Sequence, residues 1–183
     1  MSSSASQSNT NQTYTFKGKI FHTKNFTKQC VNDVALKSVA DAFKEFWLNG
    51  YHPDFGKHAA FARPEELLNL HVRHSHVDVQ DYTPEDSFVD VKGKKSVWDK
   101  WKNIYSSSFT CQHVPTSNSF LVYAVNNRRD AFVMAFIYSD AHSETETAEL
   151  KEFFTSVSYE VYQKSQTYPM PLDEDLFSEK WKI

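Results

Sequence analysis

Cysteine, glycine, positive charge and long apolar runs are all scarce in this chain of 183 residues. The two cysteines, Cys30 and Cys111, are too few for a disulfide framework and read as reduced thiols in a reducing compartment. Only four glycines occur, and neither G-x-G-x-x-G nor G-x-x-x-x-G-K-[ST] is present, which excludes the common phosphate-cradling loops. The serine-nucleophile elbow G-x-S-x-G is also missing. The strongest apolar run, residues 131–138, is far too short to span a bilayer, and the start of the chain has no basic stretch leading into an apolar one. These absences describe a soluble, cytoplasmic protein that makes no membrane contact. With 20 Lys and Arg against 23 Asp and Glu the net charge is -3, whereas proteins that grip nucleic acid alone are usually basic.

What the chain does have is aromatic bulk, 15% of its residues and led by 15 phenylalanines, in an otherwise ordinary globular composition. Residues 1–13 are polar and Ser-rich and read as a disordered arm. Residues 14–23 alternate apolar and polar around Gly18, as a half-buried strand does. Asn32 or Asp33 can cap a helix running to Leu48, with Ala35, Val39, Phe43, Phe46 and Trp47 on one stripe and Asn49-Gly50 as its stop. Residues 51–63 read as a loop, 65–68 as a helical turn, 71–79 as a strand and 81–95 as a long loop or insertion. Trp98, Trp101 and Tyr105 suggest a short helix over 97–105. Residues 119–125 and 131–138 are almost continuously apolar, which predicts a covered hairpin at the sheet centre. Ser143 and Glu146 form a capping-box pattern for a last helix, with Leu150, Phe153, Phe154, Val157 and Val161 as its buried stripe. Residues 167–183 read as an extended tail. The expectation is one α+β domain over 14–166, an antiparallel sheet with helices packed on it.

Five of the eight histidines fall at His52, His58, His71, His74 and His76. On a strand, His74 and His76 share a face while Arg73 and Ser75 take the other. His142 follows the second apolar run in Ser-Asp-Ala-His, ahead of the expected helix start at Ser143. Cleaving RNA at neutral pH needs a base for the 2′-hydroxyl proton, an acid for the leaving 5′-oxygen and fixed positive charge at the phosphate. Histidine suits the first two because it titrates near neutrality. The candidates are therefore His74 and His76 as base and acid, His142 in reserve and Asp140 to orient an imidazole. Arg73, Lys57 and Arg63 are candidate phosphate contacts, and Lys94, Lys95, Lys100 and Lys102 form one basic edge. Against this stand strand histidines as plain hydrogen-bonded residues, the lysines as a solvated face, and His-x-His plus a distant histidine as a zinc site. The last has no supporting His-x-x-x-His, His-Glu-x-x-His or Cys-x-x-Cys. No metal or cofactor is expected.

Several blocks in order resemble one known family. They are Leu48-Asn49-Gly50 with Pro53-Asp54-Phe55-Gly56-Lys57, then His74-Ser75-His76-Val77, then Leu121-Val122-Tyr123 and Ser139-Asp140-Ala141-His142 before an aromatic-striped helix. The opening Ile20-Phe21-His22-Thr23-Lys24 fits as well. Over residues 19–162 the chain is similar to the YafO family of type II toxins. The resemblance implies a toxin that cleaves translated mRNA on the ribosome and is held inactive by an antitoxin protein. A ribosome that positions the substrate would also account for the weak positive charge. Residues 78–96 look longer than the family's connection, and Arg73 is more cationic than its pattern. The rival reading is a non-catalytic ribosome- or partner-binding module that blocks translation without cutting RNA. Oligomeric state and cleavage-site preference are not encoded in any motif.

Overall fold

The computed structural model describes residues 15–104 and 112–183. The arm expected at 1–13, Cys111 and the end of the helix expected to reach Tyr105 lie outside the described residues. Five strands form one sheet in the order β1-β5-β4-β3-β2: β1 (Ile20–His22), β2 (Phe55–Ala60), β3 (Val72–Val77), β4 (Phe120–Val125) and β5 (Ala131–Ile137). The three pairings among β2 to β5 are antiparallel, but β1 runs parallel to β5, with Ile20 opposite Ala131, so the sheet is mixed. The α+β, single-domain expectation holds, and the parallel edge corrects its antiparallel sheet.

The hairpin β4–β5 is buried along nearly its whole length because both faces are covered. On one face lie α1 (Lys24–Asn32) and α2 (Ala35–Asn49), whose Phe26, Phe43, Phe46 and Trp47 pack on Leu121, Tyr123 and Val133. On the other lie α3 (Glu65–Asn69) and α6 (Ala148–Ser165), which bury Leu67, Phe154 and Tyr162 against Val72, Val122 and Met134. Two further helices, α4 (Lys95–Lys102) and α5 (Ala141–Glu144), flank one end of the sheet.

Four expectations from periodicity are corrected. The opening strand joins the sheet only over Ile20–His22, because Gly18 turns the chain at φ 107° and Phe16 before it bridges to Lys182 instead. Helix α1 then takes over the sheet edge: Thr23 Oγ1 and Asn25 Nδ2 donate to the Met134 carbonyl, and the Gln29 amide bonds both ways with Phe136. It buries only Phe26, so it left no apolar stripe to read. The loop expected over 51–63 holds β2, a strand made by pairing with β3 rather than by its own alternation. Gly56 is required there, since a Cβ would sit 2.3 Å from the Pro115 carbonyl oxygen. The last helix starts at Ala148 with Thr147 as its cap, not at Ser143, because Glu146 pairs with Lys151 instead of reaching back. The stop at Gly50, with φ 75°, is as read.

The segment after Thr167 has little regular structure, yet it buries Met170 and Leu176 in the α2 side of the core. Arg129 anchors it. This residue is fully buried and sits in the left-handed region at φ 62°, a conformation that usually falls to Gly or Asn. Its guanidinium donates to the carbonyls of Lys17, of Trp47 at 2.8 Å and of Leu176 at 2.5 Å. The rings of Phe16, Trp47 and Phe177 surround it at 5.0, 4.4 and 5.0 Å. Burial pulls its pKa down to about 10, so it stays charged at neutral pH. Arg129→Met strands three carbonyls, each worth about 1–3 kcal/mol when left unsatisfied. Urea unfolding should show a loss of at least about 3 kcal/mol, and Arg129→Lys should recover only part of it because one ammonium cannot span three diverging acceptors.

Candidate functional site

Strand β3 places His74 and His76 on the α6 face, opposite Val122 and Phe120 of β4. Phe120 organises the site. Its ring stacks on His74 at 4.4 Å and meets His76 and His142 edge-on at 4.6 and 4.8 Å. His74 and His76 lie 5.5 Å apart, and His76 and His142 lie 5.6 Å apart, by ring centroids. His142, distant in sequence, thus completes one row with His74 and His76. Phe61 closes the far side of His74 at 4.8 Å.

The row runs from covered to open. His74 is half-buried, with Nδ1 buried and unbonded. His76 is 2% exposed, while His142 is exposed. Burial holds the His74 pKa at about 3, with further lowering from His76, His142, Lys57 and Arg73. Burial likewise brings His76 to about 4 despite its bond to the Ser117 backbone. Both imidazoles are therefore neutral at pH 7. His76 Nδ1 lies 2.9 Å from the Ser117 amide nitrogen and 2.7 Å from the Ser117 carbonyl oxygen. In one tautomer Nδ1 accepts from the amide and Nε2 carries the proton; in the other Nδ1 donates to the carbonyl and Nε2 is free to act as a base.

His142 lines a cleft of about 470 Å³ together with Ser117, Asn118 and Ser143. The opposite wall comes from Asp81, Tyr82, Thr83, Pro84, Asp90 and Gly93, part of the segment read as an insertion. No Lys or Arg lines it. Asn118 holds the turn that presents His142: its Nδ2 donates to Asp140 Oδ1 at 3.3 Å, and its backbone carbonyl accepts from Ala141 N at 3.2 Å. Asp140, at φ 50°, therefore acts on His142 through Asn118 and the backbone rather than through an imidazole bond.

The candidate cations are dispersed. Arg73 points to the α2 face, where it donates to His58 Nδ1 and His71 Nε2, each at 3.2 Å. Burial, and then Arg73, brings both of those histidines to about 4. Lys57 is exposed on β2 and near enough to lower His74 and His76. Arg63 is exposed and near Glu146, whose carboxyl is held low first by its bond to Lys151. Lys94 donates to the Glu85 carbonyl, Lys95 pairs with Asp99, and Lys102 pairs with Asp78 and Asp54. Lys100 is exposed with no ion pair among the described residues. Among the described residues no group of three or more His, Cys, Asp or Glu side chains is placed to hold a metal ion, and no helix is long and apolar enough to cross a membrane.

Phe120, Ser117, Asn118 and the 81–93 wall were not anticipated. Phe120 reads as one more core residue in an apolar run, and the only local signal for the others is the polar Ser117-Asn118-Ser119 ahead of β4. Residues 41–163, which hold every part of this site, match the family described as Toxin YafO, type II toxin-antitoxin system. The chain belongs to the YafO toxin family. No curated protein and no solved structure matches it. YafO membership implies an antitoxin partner.

The lowered histidine pKa values fix a pH dependence. Above about pH 6.5 folded and unfolded chains are alike at these four positions, because every imidazole is neutral. Between about 6.5 and 4 the unfolded chain takes up protons that His58, His71, His74 and His76 refuse in the fold, so stability falls as pH falls. Each contributes roughly 1 kcal/mol per pH unit within that window. Urea midpoints should drop from pH 7 to pH 5, and His74→Phe, which keeps a ring between Phe61 and Phe120, should flatten the drop. A midpoint indifferent to pH would mean the rings are solvated.

Proposed function

We propose that this YafO-family toxin is a metal-independent endoribonuclease that cuts translated mRNA in association with the ribosome and so inhibits translation in the cytoplasm. The observation that supports it is the histidine row, which puts an exposed imidazole at a cleft wall with two desolvated imidazoles behind it. His76, neutral at pH 7 and able to leave Nε2 unprotonated, suits removal of the 2′-hydroxyl proton. The 2′-oxygen attacks phosphorus, the bond to the 5′-oxygen breaks, and His142 supplies the proton that the leaving oxygen needs. The products are a 2′,3′-cyclic phosphate and a 5′-hydroxyl end. His74 keeps the row dry and in line, a narrower part than acid or base, since a ring held near pKa 3 is a poor proton donor at neutrality. An incoming phosphate raises the pKa of imidazoles beside it by opposing charge. Lys57 and Arg63 are candidate cations on this side of the sheet, and Arg73, bonded to two histidines on the other, is left out.

A second reading has its own support. The cleft wall carries Asp81 and Asp90 and no cation, and His76 is almost wholly covered. Those features suit a module that binds the ribosome or another partner and blocks translation without cutting RNA.

Brief induced expression in bacteria with mapping of transcript 5′ ends separates the two. New ends inside coding regions are expected, with His142→Ala lowering their yield by about 10²–10⁴-fold while its urea midpoint stays at the parent value. His76→Ala should do the same at some cost in stability. Growth arrest with intact transcripts would establish the binding module instead.

A further inference from the structure

A second cavity, of about 580 Å³, lies at the other edge of the sheet, between β1 and the C-terminal end of α6. Its floor is apolar: Phe132, Val161 and Phe21, the last stacked on Phe132 at 5.2 Å yet 43% exposed. Its rim carries Lys19, Arg128 and Lys164. Lys19 and Arg128 make no ion pair among the described residues, while Lys164 pairs with Glu160 on the exposed side of α6. The one carboxylate in the lining, Asp130, is already engaged, accepting from Lys19 N at 2.8 Å and Asn126 Nδ2 at 3.1 Å. Strand β1 is the sheet's edge, so one side of its backbone has no strand partner among the described residues.

An exposed aromatic in a hollow ringed by three cations is unusual on a chain of net charge -3. We propose that this groove takes an acidic, extended peptide segment of a partner protein, with an apolar side chain seated on Phe21 and carboxylates on Lys19, Arg128 and Lys164. The free edge of β1 offers main-chain hydrogen bonds to such a segment, and the hollow offers side-chain selection. Charge complementarity sets the sign of the partner. The neighbouring surface favours a peptide over a nucleic acid. Glu149, Glu152 and Glu160 are exposed along α6, so a long polyanion leaving the groove in that direction meets like charge, whereas a segment of a few residues ends before it. The proposal does not depend on the ribonuclease reading, since it shares no residue with the histidine row.

The test uses the whole chain and two labelled probes in about 50 mM salt, where surface charge is weakly screened. One is a peptide of about ten residues alternating glutamate and leucine, and the other an oligouridylate of similar length. The peptide should bind, and K19E/R128E/K164E should weaken it by at least about tenfold with an unchanged urea midpoint. Phe21→Ser should weaken it several-fold, and His142→Ala not at all. No binding of the peptide, or equal binding by the charge-reversed variant, overturns the proposal. It is equally overturned if the oligouridylate binds the parent more tightly than the peptide and loses that affinity in the charge-reversed variant, which would make the groove an RNA site.

Discussion

One buried guanidinium ties together parts of this chain that the five-stranded sheet does not join. Arg129 reaches the segment before β1, the end of α2 and the segment after α6, through carbonyls at Lys17, Trp47 and Leu176. A buried cation is costly unless its donors are used and its charge is faced by something polarisable. Here carbonyl oxygens and three aromatic faces serve in place of a carboxylate. The fit is close enough to dictate its neighbours. Trp47 Nε1 donates to the Arg129 carbonyl, and a Cβ at Gly18 would lie 2.0 Å from that same oxygen. The glycine before β1 is a consequence of where the Arg129 backbone carbonyl sits.

Strand β3 divides histidine chemistry between the two faces of the sheet. On the α2 side, His58 and His71 accept from Arg73 and are covered by Phe177 and the segment after α6. That cluster is closed: His58 Nδ1 and His71 Nε2 are engaged by Arg73, while His71 Nδ1 and Arg73 Nε are buried without a partner. On the α6 side, His74, His76 and His142 share no strong donor, stack around Phe120 and end at open space. His58 and His71 on one face and His74 and His76 on the other are kept neutral by the same physical cause, burial, so a shifted pKa alone does not tell a structural imidazole from a reactive one. What separates them is access. Only the α6-side row ends in an exposed ring at a cleft, in a chain whose family is one of toxins.

Much of this was readable in the sequence where periodicity and tertiary packing agree. The hairpin β4–β5, the stripe of α2 with its Gly50 stop and the alternation that puts His74 and His76 on one face are all set by local pattern. The reading broke down where a partner element decides. Helix α1 presents polar side chains to a sheet edge, and β2 is a strand because β3 is beside it. The site shows the same limit. The three histidines could be named one by one, but their meeting depends on Phe120 and on Asn118 holding a turn 22 residues away in sequence. The cleft depends on the 81–93 segment folding back against Thr116, ahead of β4, which nothing in its charge-scattered sequence announces. Arg129 was hidden for a related reason, since a basic residue in a polar hairpin turn gives no sign that it is buried.

The segment over residues 167–177 also has a bearing on how the chain comes into being. Met170 and Leu176 fill the α2 side of the core, and the Leu176 carbonyl completes the shell around Arg129. A chain growing from its amino end has synthesised all five strands of the sheet and helices α1 to α6 before these residues emerge. Until then Arg129 lacks an acceptor and the aromatic wall around Trp47 lacks Phe177. Domains fold as units during synthesis, and this one has its keystone after all five strands and α6. The nascent domain therefore stays incompletely folded until residue 177 has left the ribosome.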